Sequence, residues 1–122
     1  MRSQDNLTAA NLLRGNTPIL VLAILRDGKA HGYAIASEIA RRSENALEFK
    51  QGTLYPLLHE LERDGLIVSE WEIPEGERPR RVYTITETGL SELDKRLRAW
   101  QKLSHAVIRV TGVSLDEPAP EN

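Results

Sequence analysis

Cysteine is absent from the chain, which excludes disulfides and thiolate-held metals. The three histidines, His31, His59 and His105, are scattered and lack the spacing of a metal site. Aromatic residues are scarce, with one Phe, three Tyr and two Trp, so any core must be mainly aliphatic. Such material fills one small domain of helices on a small sheet. No long apolar run exists: the longest, Ile19 to Leu25, is far short of the roughly 20 residues that span a bilayer. The opening MRSQDNLTAANLL lacks the apolar segment of a signal peptide, so a soluble cytoplasmic protein is expected. Positive charge is in no surplus either, since the net charge is −2 over 122 residues. A surface for a polyanion must therefore come from local clustering. The densest cluster is Arg78, Arg80 and Arg81.

Helical signals come first. Residues 6 to 14 suit a short helix closed by Gly15. In NTPILVLAILRDG, Thr17 suits the capping position and Pro18 the first helical one, where a missing N–H costs nothing. The body of that helix is apolar all round, the mark of a buried centre, and Gly28 is its stop. HGYAIASEIARRS repeats Tyr33, Ile35, Ala36, Ile39 and Ala40 at helical spacing. His31, just before Gly32, reads as a cap or a turn hydrogen bond, and Gly32 and Gly52 as conformationally permissive helix starts. ENALEFK is a connector.

QGTLYPLLHELERDG is the most informative stretch. Leu54, Leu57, Leu58 and Leu61 make one apolar stripe. Gly52, Pro56, His59 and Arg63 fall opposite, with Tyr55 on the flank. If Thr53 caps this helix, Pro56 lies in its first turn, where no donor is lost. Helix-start N–H groups favour a phosphate. The hydroxyls of Thr53 and Tyr55 stand beside them, and His59 and Arg63 extend the polar face. Tyr55 could instead pack on the core edge, and Arg63 could pair with Glu60 or Asp64.

After Gly65 the period changes. LIVSEWEI, Leu66 to Ile73, and RVYTIT, Arg81 to Thr86, are β-branched and aromatic, and they flank a turn rich in proline and charge. They predict a β-hairpin carrying the three arginines, with Trp71 as core or helix packing. Leu90, Leu93, Leu97, Trp100, Ser104 and Val107 then step by threes and fours, broadened by Leu103 and Ile108, up to Gly112. The tail VSLDEPAPEN is acidic and contains proline. The acids Glu60, Glu62 and Asp64 sit at surface helix positions with no nucleophile motif beside them, so catalysis is not expected.

The fold class expected is mainly α (α+β): a winged helix-turn-helix with a long C-terminal dimerisation helix. Residues 1–86 form the DNA-binding part, 87–111 the dimerisation helix and 112–122 the tail. DNA contacts are assigned to Gln51, Thr53, Tyr55, His59, Arg63, Arg78, Arg80 and Arg81. Trp100 reads either as a plain heptad anchor or as a stacking plate for a flat ligand.

LLRGNTPILVLAIL, HGYAIASEI, QGTLYPLLHELERDGLI and GERPRRVYTITETG, in this order, resemble the PadR family of bacterial transcription regulators over roughly residues 12 to 100. The resemblance implies a homodimer that represses transcription at a palindromic operator, with dimerisation carried by the C-terminal helix and so assigned to Leu90, Leu93, Leu97, Trp100, Leu103 and Val107. It also implies release by a small effector, often aromatic; no cofactor is expected. Gln51 departs from the family pattern, where proline or serine is common. The alternative is a winged-helix module that binds protein and no DNA. The operator, the regulated genes and the effector are not legible in the sequence.

Overall fold

The structure is a computed structural model, and residues 15–113 are described. The helix expected at 6–14 and most of the tail lie outside them. The elements are α1 (Thr17–Arg26), β1 (Ala30–His31), α2 (Gly32–Arg42), α3 (Gln51–Arg63), β2 (Ile67–Glu72), β3 (Arg80–Ile85) and α4 (Glu87–Thr111). The three strands form an antiparallel sheet in the order β1-β3-β2. This is the winged helix-turn-helix architecture, with β2 and β3 as the wing.

The all-apolar α1 sits at the centre. Its Val21, Leu22 and Leu25 are buried with Ile35 and Ile39 of α2, Leu54, Leu58 and Leu61 of α3, Ile67 and Tyr83 of the hairpin, and Leu93 of α4. Burying each such side chain contributes about 1.5–3 kcal/mol before chain entropy is charged against it. Its start is one residue earlier than expected. Thr17 is the first helical residue, Pro18 follows, and Asn16 holds the capping position without a side-chain bond.

The hairpin is also displaced slightly from expectation. β2 runs 67–72 rather than 66–73, and β3 runs 80–85 rather than 81–86. Thr86 is taken up by α4, because its Oγ1 accepts the Gly89 N–H at 2.9 Å and caps the helix. The same hydroxyl donates to the Gly65 carbonyl at 2.8 Å, tying the cap to the turn before β2. Gly89 lies against the Leu66 carbonyl, where a Cβ would stand 2.1 Å from the oxygen. Gly112, at φ 76°, ends α4 in the left-handed conformation. Strand β1 was not anticipated. Two residues carry no periodicity, and they pair only because β3 presents Val82 and Tyr83 to them.

α4 has two parts. Gly89, Leu93 and Leu97 pack on the core, so Leu93, 2% exposed, belongs within the chain rather than on a seam between chains. Beyond Leu97 no described residue joins the core cluster. There Trp100, Leu103 and Val107 form an exposed stripe, and Leu90 is exposed nearer the start of the helix.

Candidate nucleic-acid interface

The start of α3 differs from the expected one. The Lys50 carbonyl accepts from both Thr53 and Leu54, so helical bonding begins at Gln51 and Thr53 caps nothing. Pro56 is then the sixth helical residue, not part of the first turn. Its missing N–H leaves the Gly52 carbonyl without an i+4 partner. Both residues are exposed, so water can reach that carbonyl and the defect is tolerated. The N–H groups of Gln51 and Gly52 precede the first helical bond and face outward at the positive end of the helix.

A cleft of about 530 Å³ opens between α3, the hairpin and the beginning of α2. Tyr55 and His59 line it from α3, four residues apart and therefore on one face. Trp71, Pro79, Arg80, Arg81 and Tyr83 line it from the hairpin, and His31, Gly32 and Tyr33 close its end. None of these lining residues is acidic. The chain is net negative, yet this concavity carries two arginines and two histidines among aromatic rings. The wing as a whole is not basic: Glu70, Glu72, Glu75 and Glu77 outnumber Arg78, Arg80 and Arg81. The local arrangement therefore matters more than the total.

Three aromatic rings owe their placement to specific contacts. Tyr55 packs over the start of α2, where a Cβ on Gly32 would lie 3.2 Å from its ring. Gly32 is thus needed for side-chain room, not for an unusual backbone. Tyr33 is 69% exposed and stacks on His31 at 6.5 Å, so it is no part of the core stripe read for α2. His31 is the α2 cap, its Nδ1 accepting the Ala34 N–H at 3.3 Å. Trp71, expected in the core or packed on a helix, is 62% exposed, with the Arg81 guanidinium 5.5 Å above its ring. Alternation puts Ile67, Ser69 and Trp71 on one face, buried at Ile67, half-buried at Ser69 and exposed at Trp71, so the outer end of that face is open. Burial chiefly raises the Tyr83 phenol above its ordinary value, with Arg81 opposing, so it stays protonated at neutral pH.

The cleft unites four of the eight DNA contacts read from sequence: Tyr55, His59, Arg80 and Arg81. It adds His31, Tyr33 and Trp71, which were missed. The HGY motif was read as structural, and nothing local reveals how far a strand overhangs. Gln51, Thr53, Arg63 and Arg78 lie outside the cleft. Gln51 lines a second hollow beside α2, with its side-chain oxygen enclosed and unbonded among the described residues. Thr53 is exposed on the outer face, and Arg63 lies 3.5 Å from Asp64 and 4.0 Å from Glu60. Arg78 is exposed on the wing loop, while Arg80 pairs with Glu77 at 3.6 Å.

The fold and this surface define a winged helix-turn-helix regulator. Residues 21–95 match the profile of the Transcriptional regulator PadR-like family, and the chain belongs to that family. It is a transcriptional regulator of the PadR family, a family of regulators and not of enzymes. Over 82 residues it is 40% identical to Transcriptional regulator Rv3488 of Mycobacterium tuberculosis, covering 67% of this chain and 73% of that one. A PadR family transcriptional regulator from Eggerthella lenta superposes with a TM-score of 0.76 at 32% identity, over 93% of this chain and 100% of that one. Bacillus subtilis PadR, solved in complex with operator DNA, shares the fold with a TM-score of 0.62 at 24% identity, over 90% of this chain and 52% of that one. No helix among the described residues is long and apolar enough to cross a membrane.

Proposed function

We propose that this regulator binds double-stranded DNA through the cleft between α3 and the wing, as a homodimer, and that it represses transcription from a palindromic operator. The observation that carries the reading is the acid-free concavity formed by Tyr55, His59, Arg80 and Arg81. α3 enters the major groove and presents Tyr55, His59 and Thr53 to base edges and sugar, with Gln51 and Arg63 at its margins. The outward N–H groups at its start, with Arg78 and Arg80 on the wing, anchor phosphates. Bacillus subtilis PadR, crystallised with operator DNA and named a negative transcriptional regulator, supports this.

Residues 1–86 act as the DNA-binding part and 87–111 as the dimerising helix. The second copy covers the exposed stripe of Trp100, Leu103 and Val107, joined by Leu90. Leu97 packs at the boundary of core and stripe. A small aromatic effector stacking on Trp100 would act by favouring one separation of the two α3 helices over another. Half-sites lie roughly 34 Å apart, so a small tilt of the α4 pair breaks the fit.

The net charge of −2 and the four wing glutamates favour a second reading, a protein-binding module without DNA affinity. A salt titration against the DNA upstream of the chain's own gene separates the two. DNA binding predicts that log affinity falls linearly with log salt, and that Arg78→Ala and Arg80→Ala each reduce the slope by about one. No binding at low salt selects the second reading.

A further inference from the structure

Arg81 is not a free cation. Its Nε donates to Ser69 Oγ at 2.8 Å, and Ser69 Oγ in turn donates to Glu62 Oε2 at 2.8 Å. Ser69 accepts one bond and gives its single proton to the other, so the three groups form a complete relay from β3 through β2 to α3. Arg81 stands directly across the ladder from Trp71 and covers its ring. The relay is the hydrogen-bonded side-chain link between the wing's outer half and α3 among the described residues. The core holds the hairpin at Ile67, Tyr83 and Ile85, β1 pairs with Val82 and Tyr83, and Lys29 lies 3.3 Å from Glu72, so what the relay adds is the tie of the outer half to α3.

We propose that Arg81 is a positioning residue, tied through Ser69 to Glu62, that fixes the angle of the wing against α3 and holds Trp71 toward the cleft. The proposal rests on the DNA-binding reading above and replaces the DNA contact that the sequence assigns to Arg81. Arg80 and Arg78 supply the phosphate charge, and Arg81 supplies the shape. It also explains an acid on the nucleic-acid side of α3. By charge alone Glu62 repels DNA, whereas as an anchor it helps DNA bind.

Four variants decide it. Ser69→Ala breaks both bonds without changing any charge. Amide exchange in residues 70–82 of this variant, in the absence of DNA, should quicken by at least about fivefold, the factor each net hydrogen bond carries. Its affinity for upstream duplex should fall by a similar factor while the salt slope stays as in the parent, because no phosphate contact is lost. Glu62→Ala should also weaken binding, although pure electrostatics predicts tightening. Arg81→Lys should bind no better than Arg81→Ala, because an ammonium keeps the charge but not the Nε geometry. Unchanged exchange in Ser69→Ala, tighter binding by Glu62→Ala, or full rescue by Arg81→Lys would each overturn the assignment. If the parent binds no DNA at all, the functional reading fails, and the exchange measurement still decides the link.

Discussion

Gly89→Ala isolates the contact that joins α4 to the winged domain. A methyl there would stand 2.1 Å from the Leu66 carbonyl oxygen and 2.7 Å from Ile85 Cγ1. Ordinary C···O contacts begin near 3.3 Å, so backbone must move by roughly 1 Å. The Leu66 carbonyl also accepts the Thr86 N–H at 3.0 Å, and Thr86 caps α4 on Gly89 itself. Displacement therefore costs overpacking of about 1–3 kcal/mol, a cap of about 0.5–2 kcal/mol and a backbone bond of about 0.5–1.5 kcal/mol. These effects overlap, so about 3 kcal/mol is expected, a fall in Tm of about 12 °C for a domain of this size. Thermal unfolding followed by circular dichroism measures it. Gly52→Ala is the control: a Cβ there meets nothing within 4 Å, so the melt should hold or rise. A Gly89→Ala melt within about 4 °C of the parent, the span of one kcal/mol, would refute the reasoning.

Other outcomes follow from the same contacts. Leu93→Ala should cost about 2–5 kcal/mol in urea unfolding, since Leu93 is a core residue of the chain. Trp100→Glu with Leu103→Glu should leave the circular dichroism unchanged and shift the sedimentation coefficient to that of a monomer; a dimer surviving both would place the interface elsewhere. Glu38 bonds Arg41 and Arg42, which hold its carboxyl at about 2. Its folded value lies below the unfolded one of 4.5, so its contribution is complete above pH 4.5 and disappears as pH falls through about 2. A carboxyl-carbon NMR titration should show that low midpoint, and a midpoint near 4.5 would mean the bonds are absent in solution.

Periodicity made most of the architecture legible. The all-apolar run of α1, the leucine stripe of α3 and the β-branched hairpin each specify an element through burial, a local property of the pattern. The misreadings share a different origin. Trp71 and Tyr33 lie on apolar-looking faces, but whether a face is covered depends on where the neighbouring element ends. Pro56 suggested a late start for α3, because a first-turn proline is the cheap arrangement; the exposed Gly52 carbonyl makes the costlier one tolerable. Thr86 looked like the last strand residue, but β-branched threonine serves a strand and a cap alike. Leu93 fits a seam between helices equally well whether the other helix is α1 or a second chain. The Glu62–Ser69–Arg81 relay joins three elements and leaves no local signal at all.

The central claim is that the cleft between α3 and the wing receives duplex DNA. Isotope-labelled protein titrated with duplex from its own upstream region, followed by amide and side-chain NMR shifts, tests it most directly. The largest changes should fall on His31 to Tyr33, Tyr55, His59 and residues 78–81, with the distal half of α4 little affected. Changes confined to α4, or spread evenly over the surface, would contradict it.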